Sequence, residues 1–212
     1  MSEKREVALF DFDGTISFKD SFIEFIKYTD GRLKLLMCIF LNAPFIVLYL
    51  LKIYPNQNLK ERFFTFFYKG VSVSELEEKG KSFSLNELPK FVYPEAIQLI
   101  TQHKAKGRQV YLLTASSNIW LGTWCRQNEI GFIGTEFEHI NQKYTGKIAG
   151  KNCYGEEKIN RIRFILDDEQ IAEVFGYGNG KADSFFLSKM KHSFNMPLNK
   201  ENQKEFMIDK GV

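Results

Sequence analysis

A short apolar strand that runs directly into two aspartates is the sequence feature that most restricts the fold. The four residues "VALF" (7–10) show no polar alternation, which is typical of a strand covered on both faces of a parallel sheet. Asp11 and Asp13 follow, and side chains two positions apart in an extended chain point the same way. Two adjacent carboxylates are unfavourable unless a cation or a proton lies between them. The sequence therefore predicts a buried parallel sheet with a cation-binding site at the end of its first strand.

From about residue 93 onward, strand and helix patterns alternate. Strand patterns occur at 109–114 and 171–180, helical patterns at 94–107, 116–128 and 155–166, and a hairpin pattern at 134–148. Ser116 and Ser117 are interpreted as helix caps. Such alternation is typical of βαβ units, whose strands form a parallel sheet. We therefore predict an α/β fold with a Rossmann-like parallel sheet flanked by helices.

The segment between the first strand and residue 93 has a different pattern. Residues 20–88 show apolar positions at helical spacing, a glycine stop at Gly31, and a capping box of Ser72 and Glu75. We predict that residues 1–16 and 90–212 form an α/β catalytic core. Residues 17–89 are predicted to form an α-helical cap inserted after the first strand.

The composition favours a globular protein of the cytoplasm and argues against nucleic acid as a partner. A net charge of +3 over 212 residues is too weak to indicate a nucleic-acid-binding surface. Cys38, Cys125 and Cys153 are widely spaced and form no CxxC pair, so we expect free thiols in a reducing compartment. The start "MSEKRE" is charged and the apolar run after it is short, which is not the pattern of a signal peptide.

Polar residues follow the predicted strands at the edge where parallel sheets bind ligands. Thr114 ends one strand, Asn179 and Asp183 follow another, and Lys158 lies near the start of the preceding helix. The Thr114 hydroxyl, helix N-terminal N–H groups and the Lys158 ammonium suit a phosphate, and Gly14 permits a tight turn. Carboxylates suit Mg²⁺, which often binds one or two of them plus a substrate phosphate. The sequence therefore predicts a magnesium site beside a phosphate site.

Four short motifs carry a resemblance to a known family. "DFDGT", "LLTAS", the lysine in "CYGEEK" and "GYGNGKAD" resemble, in this order, the four motifs of the haloacid-dehalogenase-like (HAD) phosphohydrolase superfamily. Residues 134–162 resemble its phosphoserine-phosphatase-like branch. The resemblance implies an Mg²⁺-dependent phosphomonoester hydrolase in which Asp11 forms an aspartyl phosphate, Asp13 acts as general acid and base, and Lys158 assists catalysis.

The same resemblance implies one set of residues that bind phosphate and another that bind the metal ion. The expected phosphate-binding residues are Gly14, Thr114, Ala115 and Lys158, and the expected ligands of Mg²⁺ are Asp11, Asp13, Asn179 and Asp183. One position departs from the family, whose last motif usually begins Gly-Asp where this chain has Gly178-Asn179. An amide oxygen can bind Mg²⁺ but adds no negative charge. A weakly active phosphate-binding protein therefore stays open as an alternative to the enzyme.

The most apolar stretch of the chain lies in the predicted cap. Residues 35–51 are apolar except for Asn42, and their number is borderline for a membrane span. A single crossing would place Asp11 and Thr114, which precede and follow the stretch, on opposite sides of a membrane. Because both residues are expected in one site, a single span is excluded.

Two interpretations of this stretch stay open. One is a soluble helical cap whose inner face packs on the core, with Asn42-Ala43-Pro44 kinking or breaking the helix. The other is peripheral contact of residues 33–67 with the inner face of a membrane, with several basic side chains near anionic headgroups: Arg32, Lys34, Lys52, Lys60 and Arg62. The apolar cap also loosely resembles that of bacterial phosphatidylglycerophosphate phosphatases of the same branch. The implied substrate is a small or amphiphilic phosphorylated metabolite or, alternatively, a lipid phosphate at a membrane surface.

Overall fold

Five parallel strands form the central sheet of the computed structural model, which describes residues 4–207. Their order is β3-β2-β1-β6-β7, with β1 (Arg5–Phe10) in the middle. The neighbours of β1 are β2 (Gln109–Ser117) and β6 (Ile171–Gly178), and the edge strands are β3 (Gly131–Thr135) and β7 (His192–Asn195). The side chains from Val7 to Phe10 are fully buried, as their apolar run predicts. The predicted α/β fold class is confirmed.

Helices cover both faces of this sheet. Ala8 and Phe10 face a core shared with α4 (Pro94–Ala105), α5 (Asn118–Gln127) and the C-terminal α9 (Gln203–Phe206). Val7 and Leu9 face a second core shared with α6 (Glu156–Arg161), α7 (Arg163–Leu166) and α8 (Ser184–Leu187). The alternating directions of side chains along β1 therefore supply both cores.

Several predicted boundaries in the core differ from the structure. Strand β2 continues to Ser117 instead of ending at residue 114, so Ser117 alone caps α5, accepting a hydrogen bond from the Ile119 backbone N–H at 3.3 Å. The helix predicted at 155–166 is divided at Ile162 into α6 and α7. The hairpin contains β4 (Phe137–Ile140) and β5 (Lys143–Ile148), and the parallel strand β3 before it was not predicted. The glycine-rich residues of β3 lack the apolar run by which the other strands are recognised.

Three helices lie between β1 and α4 and form what we call the cap. They are α1 (Ser21–Leu50), α2 (Asn56–Tyr68) and α3 (Val73–Asn86), followed by a 3₁₀ turn (Leu88–Phe91). Helix α1 is broken at Gly31, whose φ of 84° a side chain would strain, so the predicted glycine stop is confirmed. Helix α1 is not broken at Asn42-Ala43-Pro44, because these residues keep a helical backbone with Pro44 inside the helix.

Aromatic stacking and one close backbone approach join the cap to the core. Phe22 and Phe25 of α1 stack on Trp120 of α5, with ring centroids 5.1 and 5.4 Å apart. Gly80 of α3 approaches α5 so closely that a Cβ atom there would lie 1.8 Å from the Ile119 carbonyl oxygen. The absence of a side chain at Gly80 therefore sets the distance between these two helices.

The second half of α1 is apolar on its outer side as well as its inner side. Leu35, Cys38 and Asn42 are buried toward the rest of the cap, while Leu33 and Phe40 are exposed. By length and composition alone, the helix is long and apolar enough to cross a membrane. Its apolar 18-residue segment has a mean hydropathy of 2.1, yet only 17% of that segment is buried. The soluble-cap interpretation therefore accounts for the inner side of the helix and leaves the outer side unexplained.

We expect Gly80→Ala to destabilise the protein by roughly 1–3 kcal/mol, because the new methyl group overlaps the Ile119 carbonyl and forces α3 away from α5. Urea unfolding followed by circular dichroism measures the change. Gly180→Ala is the matched control, since no atom lies within 4 Å of a Cβ at that position and its φ is not positive. An unfolding free energy for Gly80→Ala equal to that of the control would contradict this account of the interface.

Candidate active site

Asp11 is a buried carboxylate at the end of the central strand. Its backbone N–H donates to the Tyr177 carbonyl at 2.8 Å, which continues the pairing of β1 with β6 by one residue. One carboxylate oxygen accepts from the Thr15 hydroxyl at 3.1 Å, and the other accepts from the Lys158 ammonium at 2.7 Å. Burial raises the pKa of Asp11, and the nearby Lys158 charge offsets only part of this effect.

Lys158 joins two strand ends. Its Nζ atom donates to Asp11 Oδ1 at 2.7 Å and to Asp183 Oδ1 at 2.6 Å, and all three side chains are buried. Burial alone would lower the pKa of Lys158, but the two carboxylates outweigh it and the pKa is raised. The lysine therefore stays charged between the turn after β1 and the turn after β6.

Asp13 has its own set of partners. Its two carboxylate oxygens accept from the Ser21 backbone N–H at 2.6 Å and from the Ser116 hydroxyl at 2.5 Å. Burial, with smaller contributions from the charges of Asp20 and Asp11, raises its pKa to about 7. The chain turns immediately after β1, so the two aspartates line one cavity but occupy different electrostatic environments.

The turn that follows β1 depends on Gly14. Its φ is +83°, and a Cβ there would lie 2.1 Å from the side-chain nitrogen of Asn179. The Asn179 backbone N–H in turn donates to Asp183 Oδ2 at 3.1 Å. Gly14 therefore allows the turns after β1 and β6 to come into contact, which places Asn179 beside the two aspartates.

A cavity of about 380 Å³ contains most of the predicted site residues. Its lining includes every predicted catalytic and metal-binding residue and all the predicted phosphate-binding residues except Gly14: Asp11, Asp13, Thr114, Ala115, Lys158, Asn179 and Asp183. Thr114 is buried, and its hydroxyl accepts from the Ser116 backbone N–H at 3.1 Å.

Several residues of this cavity were not predicted from the sequence. Ser116, interpreted as a helix cap, instead lies on β2 and donates to Asp13. Lys60 of α2 was expected near lipid headgroups in the membrane interpretation. Its Nζ atom instead enters the cavity and donates to the Ala115 carbonyl at 2.7 Å and to Asn152 Oδ1 at 3.2 Å. Burial lowers the pKa of Lys60, and the charges of Asp20 and Asp13 offset part of this effect.

Three further cavity residues come from the cap and from the loop before α6. They are Asp20, the N-cap of α1, and the tyrosines Tyr49 and Tyr154. Helical periodicity could have identified none of these residues, since their positions depend on how the cap packs on the core.

The oxygen-rich end of the cavity is chemically suited to a hard cation. No group of three or more His, Cys, Asp or Glu side chains that could hold a metal occurs among residues 4–207. The available donors are the Asp11 and Asp183 carboxylates and the Asn179 amide oxygen, and Mg²⁺ accepts such oxygen ligands. The donor set therefore fits Mg²⁺, although Asn179 supplies an amide where a third carboxylate would complete the group.

Comparison with known proteins agrees with the resemblance found in the sequence motifs. Residues 8–187 match the haloacid dehalogenase-like hydrolase family. The chain is 25% identical to protein CicA of Caulobacter vibrioides, over 90% of this chain and 86% of that protein. It is 27% identical to a probable phosphatase of Mycobacterium tuberculosis, over 89% of this chain and 68% of that protein.

A solved structure of a phosphoserine phosphatase has the same fold. The structure, an analogue of its phospho-aspartyl intermediate, superposes with a TM-score of 0.64 at 15% identity and covers 97% of this chain and 92% of that one. The family match, which spans most of the chain, confirms the superfamily expected from the four motifs. The chain belongs to the haloacid dehalogenase-like hydrolases and has the fold of their phosphoserine-phosphatase-like branch.

Proposed function

We propose that the protein is an Mg²⁺-dependent phosphomonoester hydrolase that works through an aspartyl phosphate on Asp11. The observation that supports this most directly is the position of Asp11, buried at the end of β1 and ion-paired with Lys158 in a cavity that Asp13 also lines. A carboxylate oxygen in this position can attack a phosphorus atom. Asp13 suits proton transfer because its hydrogen-bond partners are neutral and burial raises its pKa to about 7.

The reaction has two displacement steps. In the first, an Asp11 oxygen bonds to phosphorus while the bond to the leaving oxygen breaks, and Asp13 gives that oxygen its proton. In the second, Asp13 takes a proton from a water molecule, whose oxygen attacks phosphorus and releases inorganic phosphate and the free Asp11 carboxylate. Lys158, Thr114 and the Ala115 backbone are expected to stabilise the phosphoryl oxygens. Gly14 is expected to place its backbone N–H beside them.

The metal ion would lie at the acidic end of the cavity. Asp11, Asp183 and Asn179 would hold it, and Asp13, the fourth expected ligand, lines the same cavity. When bound, Mg²⁺ neutralises charge on the phosphoryl group and on the carboxylates around it. The substrate we favour is a small phosphorylated metabolite whose other end contacts Asp20 and Lys60 of the cap.

Replacing Asp11 and replacing Asp13 should change the hydrolysis rates of aryl and alkyl phosphates in different ways, because the two substrates differ in their leaving groups. We expect Asp11→Asn to abolish hydrolysis of both an aryl and an alkyl phosphate, because no nucleophile remains. We expect Asp13→Asn to slow the first turnover of the alkyl phosphate by about 10²–10⁴-fold. The first turnover of the aryl phosphate should be largely retained, since a phenolate leaves without a proton. Rapid-mixing measurements with Mg²⁺ distinguish these cases.

Asp168→Asn provides the matched control, because Asp168 pairs with Arg5 at the start of β1, the opposite end of that strand from Asp11, and does not line the cavity. Its rates should equal those of the wild type. Full activity of Asp11→Asn would overturn the proposed nucleophile. Equal losses with both leaving groups in Asp13→Asn would overturn the proposed acid.

The amide at Asn179 should weaken Mg²⁺ binding. We expect Asn179→Asp to lower the Mg²⁺ concentration for half-maximal activity about tenfold, equivalent to about 1.4 kcal/mol, because it adds a carboxylate to the donor set. Asn160→Asp makes the same change on the exposed side of α6 and should have no effect. If the wild type shows no turnover at any Mg²⁺ concentration and Asn179→Asp gains it, the alternative of a weakly active phosphate-binding protein is correct.

A second candidate function is hydrolysis of a lipid phosphate at a membrane surface. The observation that favours it is Tyr49, which lines the cavity from the apolar second half of α1. A substrate whose phosphate reaches Asp11 could therefore extend its apolar part toward the exposed leucines and phenylalanine of this helix.

A matched pair of substrates tests the lipid alternative. Glycerol phosphate and short-chain phosphatidic acid carry the same phosphate with and without acyl chains. If the substrate is a lipid, we expect a higher kcat/KM for phosphatidic acid, and Tyr49→Ala should reduce that preference without changing the rate for glycerol phosphate. Equal or faster hydrolysis of glycerol phosphate would support a small metabolite instead.

A further inference from the structure

The second half of α1 presents a large apolar surface that no part of the described chain covers. Leu33 is 85% exposed and Phe40 is 79% exposed, and Leu36, Val47 and Leu50 lie exposed on the same helix. We call this the outer face of α1. A helix that is apolar on all sides is normally covered on all sides, and an exposed patch of this kind marks an interaction surface.

A second cavity opens beside this outer face. It has a volume of about 580 Å³ and lies between α1, α2 and β5, away from Asp11 and Asp13. Leu41 and Asn42 of α1 form one wall. Arg62 of α2, Lys69 just after α2 and Lys147 of β5 contribute basic side chains. An apolar surface and a basic cavity therefore adjoin each other along one helix.

The charges in this cavity are only partly balanced. Lys147 pairs with Glu61 at 2.9 Å. Arg62 donates to Asn42 Oδ1 at 2.7 Å and stacks on Phe45 at 3.5 Å, contacts that fix its guanidinium without neutralising it. Neither Arg62 nor the exposed Lys69 has a carboxylate partner in the part of the chain that the structure describes. Three basic residues and one acidic residue leave the cavity with a net positive charge.

We propose that this cavity binds the anionic headgroup of a membrane lipid, and that the outer face of α1 rests in the apolar part of the same bilayer surface. The two features match the two parts of an amphiphile, since Leu41 and Phe40 would contact acyl chains while Arg62 and Lys69 bind the headgroup. Further basic residues, Arg32 and Lys52, lie at the two ends of the apolar stretch and extend the charge match to an anionic membrane.

Charge complementarity also selects a membrane over a second copy of the chain. A twofold symmetric dimer through the outer face would bring the same basic cluster of both copies together. An anionic bilayer instead compensates these charges and covers the apolar residues at the same time. The proposal does not depend on the proposed hydrolysis of a small metabolite, because the basic cavity and the active-site cavity share no lining residue.

Vesicle co-sedimentation of the full-length protein tests the proposal. The vesicles contain phosphatidylcholine alone or phosphatidylcholine with about a third phosphatidylserine. We expect the wild type to sediment with the anionic vesicles and Lys69→Glu to bind them at least about fivefold more weakly, with binding reduced by salt. Phe40→Asp should bind more weakly to both kinds of vesicle. Lys189→Glu, the same charge change at an exposed lysine of the core, should bind like the wild type.

Hydrolysis of a soluble aryl phosphate, measured on the same samples, verifies that the variants are folded and separates this proposal from the proposed function. Because Lys69 and Phe40 are exposed, both variants should retain the wild-type rate. Wild-type protein that does not sediment with anionic vesicles would overturn the proposal. So would vesicle binding that Lys69→Glu and Lys189→Glu reduce equally, or a soluble dimer that Phe40→Asp dissociates in the absence of any vesicle binding.

Discussion

The buried ion pairs of Lys158 are the interaction on which the rest of the structure depends. One ammonium contacts the carboxylate that ends β1 and the carboxylate that follows β6, at 2.7 and 2.6 Å. Removing a partner from a buried pair of this kind typically costs about 3–5 kcal/mol, because the remaining charge is left unpaired. The arrangement therefore connects three segments that are far apart in the sequence, and it concentrates charge at the point where the parallel strands end.

The core of the site could be predicted from the sequence because its residues follow strands. An apolar run identifies a buried strand, and parallel strands bring their carboxyl ends to one edge, so Asp11, Thr114 and Asp183 had to converge. Ser116 shows how small errors matter. Ending β2 at residue 114 made this serine a helix cap, whereas the strand continues irregularly to Ser117 and the Ser116 hydroxyl reaches Asp13.

The cap residues of the site could not be predicted in this way. Lys60 and Tyr49 lie on helices whose apolar patterns give their inner faces but not the direction in which each helix crosses the core. That direction depends on contacts such as the stacking of Phe22 on Trp120 and the approach of Gly80 to α5, which follow from the packing of distant segments. The apolar character of α1 was evident from the sequence, but its uncovered outer face could be recognised only once its neighbours were known.

Ser21 gives the first turn of α1 a part in the chemistry as well as in the packing. Its backbone N–H donates to Asp13, and its hydroxyl lies 2.9 Å from that of Ser116 and accepts from Trp120. The N-terminal end of a helix carries a partial positive charge, so α1 stabilises the ionised form of Asp13. The same helix end also buries Asp13 and carries Asp20, and both of these raise the pKa of Asp13 more than the Ser21 N–H lowers it. A movement of the cap that lifted this end would therefore return the pKa of Asp13 toward its ordinary value. The proton affinity of the proposed acid is therefore coupled mechanically to the position of the first turn of α1.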